Sequence, residues 1–185
     1  MTTSILVVYA TTQGQTAKVA RFVTDELRLA GAEVDCLEAG AADPRPEEYD
    51  AVIVAASIHV SAFQRPVEQW VRRHAAVLRQ RPTLFLAVCL AVLQQDPKAQ
   101  AELREIVARF ERKTGWTPAE LQFIPGALRY SAYGWLTRLV MKRIAARAGG
   151  GTDTSRDYEY TDWADLRVLA LGFLAALREG APTVL

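Results

Sequence analysis

Only two cysteines and two histidines occur among the 185 residues. Two thiols cannot build a disulfide framework. Cys36, His59, His74 and Cys89 also show none of the short spacings of a metal site, so no metal is expected. Charge of one sign is equally scarce, with 22 Lys and Arg against 21 Asp and Glu. A balanced chain has no overall field with which to hold nucleic acid, and no such partner is expected. Long apolar runs are missing too: the longest uncharged stretches, Ala51 to Gln64 and Pro82 to Gln95, fall short of the roughly 20 apolar residues of a spanning helix. Met1 to Ser4 carries no basic side chain, so no secretory leader is expected. The expectation is a reduced, cytoplasmic chain forming one domain over residues 1–185.

What is present is periodic. Ile5 to Tyr9 is a short apolar run that reads as a strand. A helical stripe of Val19, Phe22, Val23, Leu27 and Ala30 follows it and closes at Gly31. Glu33 to Leu37, Ala51 to Ile58, Thr83 to Val88 and Leu121 to Ile124 supply four more strands. Those without polar alternation read as buried on both faces, as in a parallel sheet. Pro66 to Leu78 reads as a helix. Asp96 caps the next one, with Pro97 at its first position and Gly115 past its end. Gly134 to Ala148 predicts an extra helical segment, and Asp162 to Leu177 the last helix. Five strands alternating with helices predict an α/β doubly wound sheet, of order 2-1-3-4-5.

Between the first strand and its helix runs Tyr9-Ala10-Thr11-Thr12-Gln13-Gly14-Gln15-Thr16. A phosphate there meets free backbone N–H groups, the positive end of the helix dipole and three threonine hydroxyls. Gly14 permits positive φ or close approach of an oxygen. Neither a P-loop lysine nor a three-glycine dinucleotide fingerprint is present. A threonine-rich turn that only caps the helix is the plainer reading. In an open α/β sheet the ligand lies beyond the strand carboxyl ends, so Ser57, Ile58 and His59, and Cys89, Leu90 and Ala91, must complete the site.

Thr-Thr-Gln-Gly-Gln-Thr resembles the flavodoxin phosphate loop, which implies a flavodoxin-like fold and FMN as cofactor. Ala55-Ala56-Ser57-Ile58, Gly126-Ala127-Leu128-Arg129-Tyr130, Gly150-Gly151-Thr152-Asp153-Thr154 and Tyr160-Thr161-Asp162-Trp163 are similar to successive signatures of the HemG-type menaquinone-dependent protoporphyrinogen IX dehydrogenases. That resemblance implies FMN-dependent oxidation of protoporphyrinogen IX, in haem biosynthesis, with electrons delivered to menaquinone or another membrane quinone. Two departures stand out. Leu90 to Lys98 carries one cation where enterobacterial members are rich in Lys, Arg and Pro, and His59 and Phe63 stand where the family has an extra Tyr and Gly.

In such an enzyme the cofactor performs the hard chemistry, and the protein binds and tunes it. The catalytic acid or base is unassigned. His59 is the one candidate, because imidazole titrates near working pH, although a histidine without a role in a surface loop is the commoner case. His74, on an apolar stripe, reads as structural. Cys89 reads as a buried small hydrophobe that also reaches the flavin, and Cys36 as strand core. For the substrate propionates the resemblance and the chemistry point to Arg129, Tyr130 and Arg138.

Ala127 to Gly151 is purely basic, with Arg129, Arg138, Lys142, Arg143 and Arg147. Apolar Leu136, Leu139, Val140 and Ile144 suit residues 134–148 to an anionic membrane surface, that is, to peripheral attachment. The acidic stretch Thr152 to Asp165 is an alternative partner for these cations, within one chain or in a homo-oligomer. Two other functions remain open: a flavodoxin-type electron carrier, disfavoured by the neutral charge, and an FMN-dependent NAD(P)H:quinone reductase.

Overall fold

The computed structural model describes residues 2–94, 96–128 and 158–180. The elements run β1 Ser4–Ala10, α1 Gln15–Leu29, β2 Glu33–Glu38, β3 Ala51–Ser57, α2 Arg65–Leu78, β4 Thr83–Cys89, α3 Pro97–Thr114 and β5 Glu120–Pro125. A short antiparallel pair, β6 Ala127–Leu128 and β7 Tyr158–Glu159, follows, and then α4 Trp163–Glu179. The predicted helix at residues 134–148 and the nominated Arg129, Tyr130 and Arg138 lie outside the described residues.

The five main strands are all parallel, in the order β2-β1-β3-β4-β5. This is the expected doubly wound sheet. Alternate residues of β1 feed two separate cores. Ile5, Val7 and Tyr9 pack with α1 and α4 through Val19, Val23, Leu27, Leu166 and Phe173. Leu6, Val8 and Ala10 pack with α2 and α3 through Val67, Trp70, Val71, Val107 and Phe110. Burial on both faces explains why β1, β3 and β4 lack polar alternation. β2 stands at the sheet edge, so Val34 alone is fully buried in it and Cys36 is only half-buried.

Helix ends follow local chemistry. The Asp96 carboxylate accepts from Lys98 N at the start of α3, and Gly115 ends that helix at φ 70°. Asp162 accepts from the amides of Ala164 and Asp165 at the start of α4. α4 runs two residues beyond the predicted end at Leu177, and β3 ends at Ser57 rather than Ile58.

Candidate functional site

The order 2-1-3 reverses direction between β1 and β3, so the strand carboxyl ends open there into a crevice. Ala10, Ser57, Cys89 and Pro125 all end strands on this edge. A cleft of about 500 Å³ lies above them. Of the residues nominated from the sequence, Thr11, Thr12, Gln13, Gln15, Thr16, Ser57, Ile58, His59, Cys89, Leu90 and Ala91 line it. Gly14, the N-cap of α1, does not.

Gly14 sits at φ 88°, in the left-handed region, and α1 has no side-chain cap. The loop is braced from within by the Gly14 amide, which donates to Thr11 Oγ1 at 2.9 Å. An uncapped N-terminus leaves amides free for an anion. The adjacent Thr16 is 1% exposed, and its hydroxyl has no hydrogen-bond partner. A buried hydroxyl without a partner is destabilising by about 1–3 kcal/mol unless something bonds to it. Turn capping does not account for that orphan, whereas a phosphate oxygen does. The residues present therefore fit FMN. Thr11, Thr12, Thr16 and the free amides that open α1 would hold the phosphate, and the loops after β3 and β4 would flank the ring.

The loop after β3 is a tight turn. His59 N donates to Ala62 O at 2.8 Å and Ala62 N to His59 O at 3.2 Å. Val60 and Ser61 between them have φ 49° and 58°. A β-branched residue in that region is strained, and Val60 is 88% exposed at the cleft rim. The His59 side chain is likewise exposed and borders the cleft. His74 is elsewhere, meeting the Asp43 carboxylate at 3.2 Å and packing on Trp70. Hydrogen bonds from His74 and Arg73 lower the Asp43 pKa.

Cys89 is 6% exposed at the end of β4. Burial pushes its thiol up to about 11, opposed in part by backbone N–H groups of Val92 and Ala91. Such a thiol stays neutral, so it offers the cleft a small apolar surface rather than a nucleophile.

The wall facing the phosphate loop comes from α3, through Ala99, Glu102, Leu103 and Ile106, with Gln94 nearby. Leu103 and Ile106 recur at helical spacing, and such periodicity cannot separate a core wall from a cleft wall. Gly126 and Ala127 close the remaining side. Their signal in the sequence is the Gly-Ala-Leu-Arg-Tyr motif.

A second cleft of about 550 Å³, near the amino ends of β1 and β2, is bordered by Arg28, Asp35 and Tyr49. Polar groups there bond within the chain: Tyr49 Oη donates to Asp35 Oδ2 at 2.6 Å, and Arg28 Nε to Val34 O at 3.1 Å. It therefore lacks the unmet bonding that marks the first cleft. Among the described residues no group of three or more His, Cys, Asp or Glu is placed to hold a metal. No helix among them is long and apolar enough to cross a membrane.

The profile of the flavodoxin domain family matches residues 6–155. The protoporphyrinogen IX dehydrogenase (quinone) of Escherichia coli strain K12 is 32% identical over 159 residues, covering 85% of this chain and 87% of that protein. The Leishmania major protein of the same name is 30% identical over 177 residues, covering 92% of this chain and 74% of its own. Among solved structures, a short-chain flavodoxin associated with a PDU bacterial microcompartment superposes with TM-score 0.59 at 16% identity, covering 95% of this chain and 99% of that one. Flavodoxin 2 of Bacillus cereus gives 0.56 at 15% identity, covering 93% and 98%. These last two share the fold. The chain belongs to the flavodoxin-domain family, in the branch that holds the quinone-linked protoporphyrinogen IX dehydrogenases.

Proposed function

We propose that this chain, as one FMN-binding domain, oxidises protoporphyrinogen IX to protoporphyrin IX and passes the electrons to a membrane quinone, with menaquinone as the acceptor. The observation that carries this reading is the cleft that joins an uncapped phosphate loop and an orphaned Thr16 hydroxyl to an apolar wall. Bound FMN supplies the redox chemistry, accepting hydrogen equivalents from the substrate and releasing electrons to the quinone.

The chain's own residues bind, orient and exclude water. Thr11, Thr12, Gln13, Gly14, Gln15 and Thr16 hold the phosphate end. Ser57, Ile58 and His59 on one side, and Cys89, Leu90 and Ala91 on the other, hold the ring. Ala99, Leu103 and Ile106 on α3 border the cleft while being almost fully buried, an apolar backing that suits a large hydrophobic substrate or a quinone head. His59 is the group at the rim suited to taking up a proton as hydrogens leave the meso carbons and ring nitrogens. Arg129 and Arg138, with Tyr130, are assigned to the propionates. Residues 134–148 are assigned to an anionic membrane surface, where each cation contributes about 1 kcal/mol and attachment stays reversible.

The test is anaerobic. FMN-loaded protein mixed with protoporphyrinogen IX and a menaquinone analogue should develop porphyrin fluorescence. Flavin reduction by NADPH with no response to porphyrinogen would instead make the chain a nicotinamide-fed reductase. Replacing Arg138, Lys142, Arg143 and Arg147 with Gln should weaken sedimentation with anionic vesicles.

A further inference from the structure

Gln64 carries no role in the reading so far and does not line the cleft, yet its carboxamide bonds to both loops that do. It precedes α2 at the N-cap position without capping that helix. Its Oε1 accepts from Ser57 N at 3.2 Å. Its Nε2 donates to Thr12 Oγ1 at 3.2 Å and also to Ser57 Oγ. A backbone N–H can only donate, so the contact with Ser57 N fixes which end of the carboxamide is oxygen. Both Nε2 hydrogens are then committed to hydroxyl oxygens.

A hydroxyl has one proton to give. When Nε2 occupies an acceptor site on Thr12 Oγ1 and on Ser57 Oγ, neither hydroxyl donates back to Gln64, and each proton is directed away from it. Among the described residues neither hydroxyl donates to a protein acceptor, and both residues border the cleft. We infer that Gln64 is a positioning residue for the flavin: it presets the Thr12 hydroxyl as a donor to the phosphate and the Ser57 hydroxyl as a donor to the remainder of the cofactor. Donors oriented before binding require no reorganisation when the ligand arrives. The inference rests on reading the cleft as the FMN site.

The informative variant is Gln64→Glu. It keeps the size and replaces the donor end with an acceptor, so both hydroxyls turn their protons toward it and away from the cleft. Flavin-fluorescence titration of the full chain with FMN should show binding weakened about 10- to 100-fold. Riboflavin, which has no phosphate for Thr12, should be weakened less. In a Thr12→Val background the same substitution should lose much less FMN affinity, because no hydroxyl remains there to misorient. Direct repulsion between a carboxylate and the phosphate would persist in that background. Gln64→Met, which leaves the hydroxyls free to rotate, should lose FMN affinity by a smaller factor, and melting curves of each variant register any folding defect. Unchanged FMN affinity in Gln64→Glu and Gln64→Met, or a penalty undiminished by Thr12→Val, overturns the role of Gln64. A folded wild-type chain that takes up no FMN overturns the FMN reading itself and this inference with it.

Discussion

Gln15 Nε2 donates to Glu159 Oε1 at 2.7 Å, joining residues 144 apart in the chain. The same nitrogen donates to Thr161 Oγ1 at 2.9 Å, and that hydroxyl donates to Pro125 O at 2.7 Å. The first residue of α1, beside the phosphate loop, is thereby fastened to β7 and to the end of β5. Glu159→Ala removes the charged acceptor and should lower the unfolding free energy by about 1 kcal/mol, the lower range for such bonds because Glu159 is partly exposed. Glu159→Gln keeps an acceptor oxygen and should lose less than half of that. Urea titrations with an unchanged m-value decide the matter, and equal losses in the two variants would refute the hydrogen-bond account.

Thr16 allows opposite signs to be predicted for two measurements on one variant. Thr16→Val replaces a buried, unpartnered hydroxyl with a methyl of nearly the same size. Without ligand, the variant should be more stable by about 1 kcal/mol, because an unsatisfied polar group is gone. FMN affinity should fall about 10-fold for the loss of one bond to a charged group. Thermal melts with and without FMN read both quantities, since ligand stabilisation follows the affinity directly. A variant less stable without FMN would mean that the hydroxyl has a structural role.

The sheet was legible because burial on both faces leaves an unmistakable pattern in Leu6, Val7 and Val8, and again in Ala51 to Ala56. The ends of α3 were legible because Asp96, Pro97 and Gly115 act locally. The turn at Thr11 to Gly14 and the start of α1 were legible for the same reason, being one continuous segment. Contacts between distant segments left no such trace. Nothing near Gln64 in sequence announces Thr12, and nothing near Gln15 announces Glu159. The turn at Val60 was also hidden, because left-handed turns usually advertise themselves with Gly or Asn. Leu103 and Ile106 kept helical spacing while forming a cleft wall, where periodicity reports an apolar neighbour and not its nature.

Val60 is open to a stability test. A β-branched residue at φ 49°, with its side chain 88% exposed, gains little packing to offset its strain. Val60→Asn, a residue that tolerates this region, should raise stability by about 1 kcal/mol. If stability falls instead, the Val60 side chain is held by contacts that outweigh its backbone strain. Denaturant midpoints of the two proteins give the answer.

Cys89 ties stability to alkaline pH. The ordinary value of the thiol is 9.0, and burial raises it to about 11 in the folded chain. Between these values the unfolded chain releases the proton while the folded chain keeps it, so stability is full below pH 9 and declines as pH rises toward 11. The decline attributable to this thiol should be about 2–3 kcal/mol. Comparing Cys89→Ala with the parent by urea denaturation from pH 8 to 11 isolates it: the variant should show a shallower decline. Parallel curves would mean that the thiol is not buried as described.

Glu102 bears on the choice of electron donor. Among the described residues that line the cleft, it is the sole Asp, Glu, Lys or Arg. A nicotinamide dinucleotide brings several phosphate charges to the cleft mouth, whereas a quinone head brings none. Bound FMN should therefore be reduced slowly by NADPH, and Glu102→Lys should speed that step about 10-fold at low salt by reversing the local field. The gain should shrink as salt shortens the screening length from about 30 Å at 0.01 M to about 10 Å at 0.1 M. Reoxidation by a neutral quinone should change little in the same variant. Stopped-flow traces of flavin absorbance separate the two half-reactions. Rapid NADPH reduction of the parent, insensitive to both Glu102→Lys and salt, would return the chain to the reading of a nicotinamide-fed reductase.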